Sequence, residues 1–217
     1  MSLIAVAHRA GNSLDALRAA ADVGADVVEA DLHARQDRLE VRHSKSLGPL
    51  PWLWDRGPWE LTPTSVPQLQ LPELLDAFLP DAALMLDLKG VSDVGERTAR
   101  LLHERRPERP VIVCSRWWPS VEPFFGLDWA LPVLSARNRP ELARLRRRVR
   151  RGRPPYAVSL HGSLLSPTVV AELRERVEVV MSWGVNDERA LGRVVGMGVT
   201  GIISDSTDVL RAVVAQR

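Results

Sequence analysis

The sequence predicts an α/β fold, a (β/α)8 TIM barrel built as a single domain over residues 1–217. Three observations predict it. Short apolar runs alternate with helical patterns along the whole length, in eight strand-then-helix units. The composition, 45% hydrophobic and 26% charged over 217 residues, supplies one sizeable core and argues against disorder. An open doubly wound sheet is the competing arrangement, but no G-x-G-x-x-G or G-x-x-x-x-G-K-[ST] run appears to mark its nucleotide-binding forms.

Strands are expected near Leu3–Arg9, Asp26–His33, Ala83–Lys89, Val111–Ser115, Val133–Ser135, Ala157–His161, Val177–Trp183 and Thr200–Ser204. Helical patterns fall between them at Ser13–Val23, Leu71–Phe78, Val91–Arg105, Pro119–Phe125, Glu141–Val149, Thr168–Arg176, Asp187–Val195 and Ser206–Val214. One stretch breaks the rhythm. After a hairpin-like Leu39–His43, the segment Ser44–Gln70 carries five prolines and the tryptophans Trp52, Trp54 and Trp59, and reads as a long irregular insertion over one end of the barrel.

Composition excludes several classes. The single cysteine, Cys114, rules out an intramolecular disulfide and a cysteine-built metal site, and reads as a small core residue. No apolar run reaches the ~18 residues of a membrane span, and no secretory leader is legible, so a soluble cytoplasmic protein is expected. Of 29 basic residues only Lys45 and Lys89 are lysines. The arginine-dense Arg144–Arg153 overlaps a helix end, where cations suit the dipole, and has no interleaved aromatics. It reads as a solvated surface, with no nucleic-acid partner expected.

Strand alternation places the candidate site. Across Val27–His33 the odd positions Val27, Glu29, Asp31 and His33 face inward, while Val28, Ala30 and Leu32 face the helices. In Ala83–Lys89, Leu84, Leu86 and Leu88 face outward, leaving Asp87 and Lys89 inward; His8 ends the first strand in the same way. These groups share the rim where the C-terminal strand ends of barrels carry active sites. Glu29, Asp31 and Asp87 so close together would repel unless a cation joined them, and three oxygen donors suit Mg²⁺ or Ca²⁺. His43 and Lys45 follow on the hairpin. A divalent cation, two histidines and a lysine around one cavity point to phosphodiester cleavage, with histidines moving protons and lysine stabilising charge.

At these residues the sequence resembles the glycerophosphodiester phosphodiesterase family, enzymes on a TIM barrel. The family's opening H-R-G with a following E-N-T is matched by His8-Arg9-Ala10-Gly11-Asn12-Ser13. Its G-A-D-x-x-E-x-D corresponds to Gly24 through Asp31, its H-D to His43-Ser44 and its E-x-K to Asp87-Leu88-Lys89. Its W-T-V-N is similar to Trp183-Gly184-Val185-Asn186, and its G-I-I-T-D to Gly201 through Asp205. The resemblance implies metal-dependent hydrolysis of glycerophosphodiesters to glycerol 3-phosphate and an alcohol. In it His8 and His43 act as acid and base, Glu29, Asp31 and Asp87 hold the metal, and Arg9, Lys89 and Lys45 contact phosphate. Trp183 resembles the family's substrate wall, and His161 is a further rim contact.

Two departures stand out. Gly11 replaces a metal-binding glutamate, and aspartate replaces glutamate at position 87. With three carboxylates the site also looks like the sphingomyelinase D relatives. The alternatives are therefore a lysophospholipid or sphingolipid-type phosphodiesterase that forms a cyclic phosphate, or a non-catalytic barrel that binds a phosphorylated ligand. Either enzyme reading implies a small-molecule or lipid-derived phosphodiester as partner, and Trp117 and Trp118 extend the apolar rim it would meet.

Overall fold

The structure, a computed structural model, describes residues 3–55, 59–78 and 81–216; Arg56, Gly57 and Pro58 of the Ser44–Gln70 segment lie outside the described residues. The chain opens with β1 (Ile4–Ala7), α1 (Leu14–Val23) and β2 (Val27–Arg35), which turns back into β3 (Arg38–Val41). Four short strands follow, β4 (Lys45–Ser46), β5 (Trp52–Asp55), β6 (Glu60–Pro63) and β7 (Leu69–Gln70), and then α2 (Leu71–Ala77). The remainder alternates: β8 (Ala83–Leu88), α3 (Val94–Arg105), β9 (Val111–Ser115), β10 (Ala130–Ala136), α4 (Arg139–Arg151), β11 (Ala157–His161), α5 (Pro167–Arg174), β12 (Val179–Trp183), α6 (Glu188–Val195), β13 (Gly201–Ser204) and α7 (Thr207–Val214).

Eight strands, β1, β2 and β8 to β13, pair in parallel around a closed ring. Closure comes where β1 meets both β13 (Ile4 opposite Gly201) and β2 (Val6 opposite Val27). This is the expected (β/α)8 TIM barrel. The alternation read from the sequence holds. Val6, Val27, Met85, Ile112, Cys114, Val133, Met181 and Ile203 fill the interior, whereas Val28, Ala30, Leu32, Leu84, Leu86 and Leu88 belong to the layer packed against helices. Both faces are dry, as a parallel sheet covered by helices requires.

Local chemistry explains the helix starts. Ser13, Asn138, Ser166, Asp187 and Ser206 stand at N-caps, where each side-chain oxygen accepts a hydrogen bond from a backbone N–H three residues on. Three readings need correction. The expected helix Pro119–Phe125 is two 3₁₀ turns, Trp118–Ser120 and Glu122–Phe124. Pro119 and Pro123 are four apart, so one proline ring would strike the carbonyl a continuous helix needs. The strand expected at Val133–Ser135 extends back to Ala130 through Pro132, whose carbonyl still accepts from the Tyr156 N–H. The Ser44–Gln70 segment is not irregular. Its strands β4, β5 and β6 form a separate antiparallel sheet, a flap over the mouth, and β7 returns to pair with β3.

Most of the arginines of α4 that the sequence placed in solvent are engaged with neighbouring elements. Arg146 and Arg150 pair with Glu172, Arg148 with Glu122, and the Arg144 guanidinium lies 4.4 Å above the Trp118 ring. Among the described residues no helix is long and apolar enough to cross a membrane.

Gly95 marks the tightest helix contact in this shell. A Cβ there would land on the Ser120 carbonyl, 2.8 Å from the Ser120 Cα, so Gly95→Ala is expected to destabilise by about 1–3 kcal/mol. Gly192 in α6 has nothing within 4 Å, and Gly192→Ala should stabilise by about 0.5–1 kcal/mol. Urea unfolding of both variants reads the two signs side by side.

Candidate active site

The C-terminal mouth is built around buried charge. Glu29 and Asp31 lie on β2, and Asp31 stands directly opposite Asp87 of β8. Glu29 and Asp31 are almost wholly buried, and one carboxylate oxygen from each of the three acids lies within 4.8 Å of the others. The sequence therefore brings its three expected metal ligands to one point.

Lys89 joins them. Its ammonium sits 2.6 Å from Asp31 Oδ1 and also bonds Asp87. These two carboxylates hold the Lys89 pKa well above its usual value against the downward pull of burial. Burial, and then the Asp31 charge, push the Glu29 pKa up to about 7. Burial raises the Asp87 pKa despite Lys89, whereas at Asp31 the lysine wins over burial and lowers it.

The turn after β1 fits against these acids. The Arg9 backbone N–H donates to Glu29 Oε2 at 2.6 Å, with Arg9 in the left-handed region at φ 58°. Asn12 grips Asp31 twice: its amide donates to Asp31 Oδ2 and its carbonyl accepts from the Asp31 N–H, both at 2.8 Å. Gly11, between them, is packed hard on β2. A Cβ there would stand 2.7 Å from the Ala30 Cβ and 3.2 Å from the Glu29 carbonyl, so the backbone as it runs has no room for the glutamate that the resemblance leads one to expect.

Both histidines carry a carboxylate on Nδ1. His8, just past β1, meets Asp205 Oδ1 at 2.7 Å, and Asn186 fixes Asp205 by donating to Oδ2 and accepting its backbone N–H. Burial works to lower the His8 pKa, but the Asp205 bond and the Glu29 charge outweigh it and the pKa rises. His43 lies 2.9 Å from both oxygens of Asp55, on flap strand β5. A carboxylate on Nδ1 makes that nitrogen the protonated one in the neutral ring and leaves Nε2 for a proton in transit.

The remaining expected residues are placed as follows. Trp183 ends β12 and His161 ends β11; their rings meet edge-on at 4.7 Å, and His161 Nδ1 is tied to the Ser163 hydroxyl. Lys45 lies on β4, exposed, opposite Trp54, and makes no bond to the acids among the described residues. His33 stands beside Arg42 with its pKa lowered to about 3 by burial and then by that cation, so it stays neutral. Cys114 is buried in the barrel interior, its thiol pKa pushed well up by burial.

Sequence reasoning gave no role to Asn12, Asn186 or Asp205, although all three stood in quoted motifs, and it missed Asp55. The one available signal for Asp55 was weak, a carboxylate closing the alternating Trp52-Leu53-Trp54-Asp55 run.

The donor set fits a hard divalent cation. Three clustered carboxylates supply oxygen ligands, and Asp31 Oδ1 is buried with no partner among the described residues besides the Lys89 ion pair.

Comparison with solved structures shows the fold. Glycerophosphodiester phosphodiesterase structures from Thermotoga maritima (19% identity, TM-score 0.73, 100% of both chains) and Parabacteroides distasonis (19%, 0.72, 99% of this chain and 97% of that one) superpose over nearly the whole chain. So does an Oleispira antarctica phosphodiesterase in complex with the product sn-glycerol-3-phosphate (18%, 0.72, 98% and 96%). The sequence matches no protein-family model and no curated protein.

Burial pulls the His8 pKa down, and the Asp205 hydrogen bond is the largest of the contributions that raise it. A raised folded-state pKa contributes stability that is present below the ordinary value of 6.5 and is lost as pH rises through the folded value. Asp205→Asn should lower the His8 pKa in an NMR titration of the ring and flatten that fall in stability. An unmoved His8 resonance would contradict the dyad.

Proposed function

We propose that the protein is a metal-dependent phosphodiester hydrolase acting on glycerophosphodiesters, releasing glycerol 3-phosphate and an alcohol. One observation carries this reading: the His8 imidazole, anchored through Nδ1 by Asp205, interacts with a buried cluster of three acids and a lysine, and a second imidazole anchored the same way, His43, follows directly on Arg42, whose backbone N–H bonds the Asp31 carbonyl. The likeness to phosphodiesterase structures, one of them holding sn-glycerol-3-phosphate, supports it.

Glu29, Asp31 and Asp87 would hold the cation, Mg²⁺ or Ca²⁺ by donor type. Such an ion supplies charge to neutralise a phosphate oxygen. Everything else falls to the chain. The Lys89 ammonium and the Arg9 guanidinium bind phosphate oxygens at the same mouth. One imidazole takes the proton of the attacking hydroxyl or water through Nε2, and the other gives a proton to the departing alcohol. Asp205 and Asp55 hold the rings in one tautomer and stabilise each imidazolium as it forms. His161 and Trp183 form an aromatic wall on the rim beyond. We assign the enzyme to the cytoplasm, in keeping with its free thiol at Cys114.

A second reading is favoured by the missing fourth carboxylate at Gly11: attack by a neighbouring substrate hydroxyl, forming a cyclic phosphate from a lysophospholipid or sphingolipid-type diester. Phosphorus NMR of the products separates the two.

Purified protein with Mg²⁺, Ca²⁺ or Mn²⁺ should release glycerol 3-phosphate from glycerophosphocholine, and chelation should abolish turnover. His8→Ala and His43→Ala should each lower kcat by about 10²–10⁴-fold. Asp55→Asn should lower it less, by about 10–10²-fold, since the ring survives and only its orientation is lost. No turnover of any phosphodiester with any of the three ions would sink the enzyme reading, and unchanged phosphate-ligand affinity in the histidine variants would then favour a binding barrel.

A further inference from the structure

The flap has two unlike faces. In an antiparallel sheet directly opposed residues share a face, and alternate residues swap faces. Lys45, Trp54 and Leu61 stand opposite one another across β4, β5 and β6, and Trp52 is paired with Pro63 on the same side. The other face carries Leu53, 1% exposed, and Asp55, which holds His43. That face is turned to the barrel. The Arg42 guanidinium ties the flap down from below, bonding the Ser44 carbonyl and the Ser46 hydroxyl.

The outward face is apolar where water should make it polar. Trp52 is 40% exposed and Leu61 55%, and Trp59, packed edge-on against Trp54 at 6.1 Å, is 76% exposed. Trp59 also sits at φ 55°, a left-handed conformation that a bulky residue adopts only under constraint. The flap carboxylates Asp55 and Glu60 are paired with each other in register, which puts both on the opposite face. Among the described residues Lys45 is thus the charged side chain on the outward face, and it has no ion-pair partner there.

Exposed tryptophans, a leucine and an unpaired lysine form a surface that suits the boundary between lipid headgroups and acyl chains. We propose that the outward face of the flap docks on the surface of an anionic phospholipid bilayer. Tryptophan and leucine side chains enter the interface, and Lys45 meets lipid phosphate. The docked face lies directly behind Asp55 and His43, so a bilayer seated there is next to the barrel mouth. That placement rests on the proposed chemistry only for its purpose, drawing substrate from lipid-rich surroundings; the docking itself is read without any turnover.

Sedimentation of the full chain with vesicles tests it. Binding is expected to vesicles of phosphatidylglycerol and phosphatidylcholine, with a blue shift of tryptophan emission. Trp59→Ser combined with Leu61→Ser should weaken binding at least about 10-fold. Circular dichroism of that variant should match the parent. Lys45→Gln, one exposed charge with no folding role, should weaken binding about fivefold and only where anionic lipid is present. Protein that stays in the supernatant overturns the proposal, as does equal binding by the parent and both variants, or equal binding to pure phosphatidylcholine. A parent dimer that the double variant converts to monomer also overturns it, because the face would then be a contact between copies of the chain.

Discussion

Everything at the barrel mouth depends on keeping three carboxylates together out of water. Buried like charges are costly unless a cation meets them. The Lys89 ammonium answers part of that demand by bridging Asp31 and Asp87 on adjacent strands. Glu29 answers another part by holding its proton up to about pH 7 and by accepting the Arg9 backbone N–H. Asn12 completes the Asp31 coordination with a two-point grip. The turn after β1 is consequently shaped by the acids it covers, including its left-handed Arg9 and its close-packed Gly11.

The same constraint separates the roles of the two imidazoles. His8 is clamped by Asp205, which Asn186 fixes in turn, and these groups lie at the ends of barrel strands or just beyond them. His43 is clamped by Asp55, which belongs to the flap. One imidazole is therefore fixed to the ring, while the other depends on the seating of an added sheet. Arg42 links the two, since its backbone N–H bonds the Asp31 carbonyl while its guanidinium pairs with Glu40 and holds the flap strand.

Much of this was legible before any coordinates. Alternation in Val27–His33 and Ala83–Lys89 was enough to turn Glu29, Asp31, Asp87 and Lys89 inward together, because a strand has only two faces and the apolar set claimed one of them. The helix starts near Ser13, Leu71, Thr168, Asp187 and Ser206 were legible to within a residue, whereas α3 and α4 begin at Val94 and Arg139 and not at the expected Val91 and Glu141. Pro119–Phe125 was not legible, since apolar spacing resembled a helix until the two prolines are set against a real backbone. The strand expected at Val133–Ser135 was too short, since it runs back through Pro132, a residue that usually marks strand ends.

By itself the sequence determined the barrel, its inward and outward sets and the acid–lysine cluster, since these follow from periodicities of two and 3.6 residues that short-range covalent geometry imposes. Tertiary structure alone decided which carboxylate reaches which imidazole. Asp205 is 197 positions from His8, and Asp55 approaches His43 only after Trp52–Asp55 pairs as a strand. It also decided that the flap presents tryptophan to the outside. Contacts between residues distant along the chain depend on strand register and closure of the ring, and no local pattern encodes either.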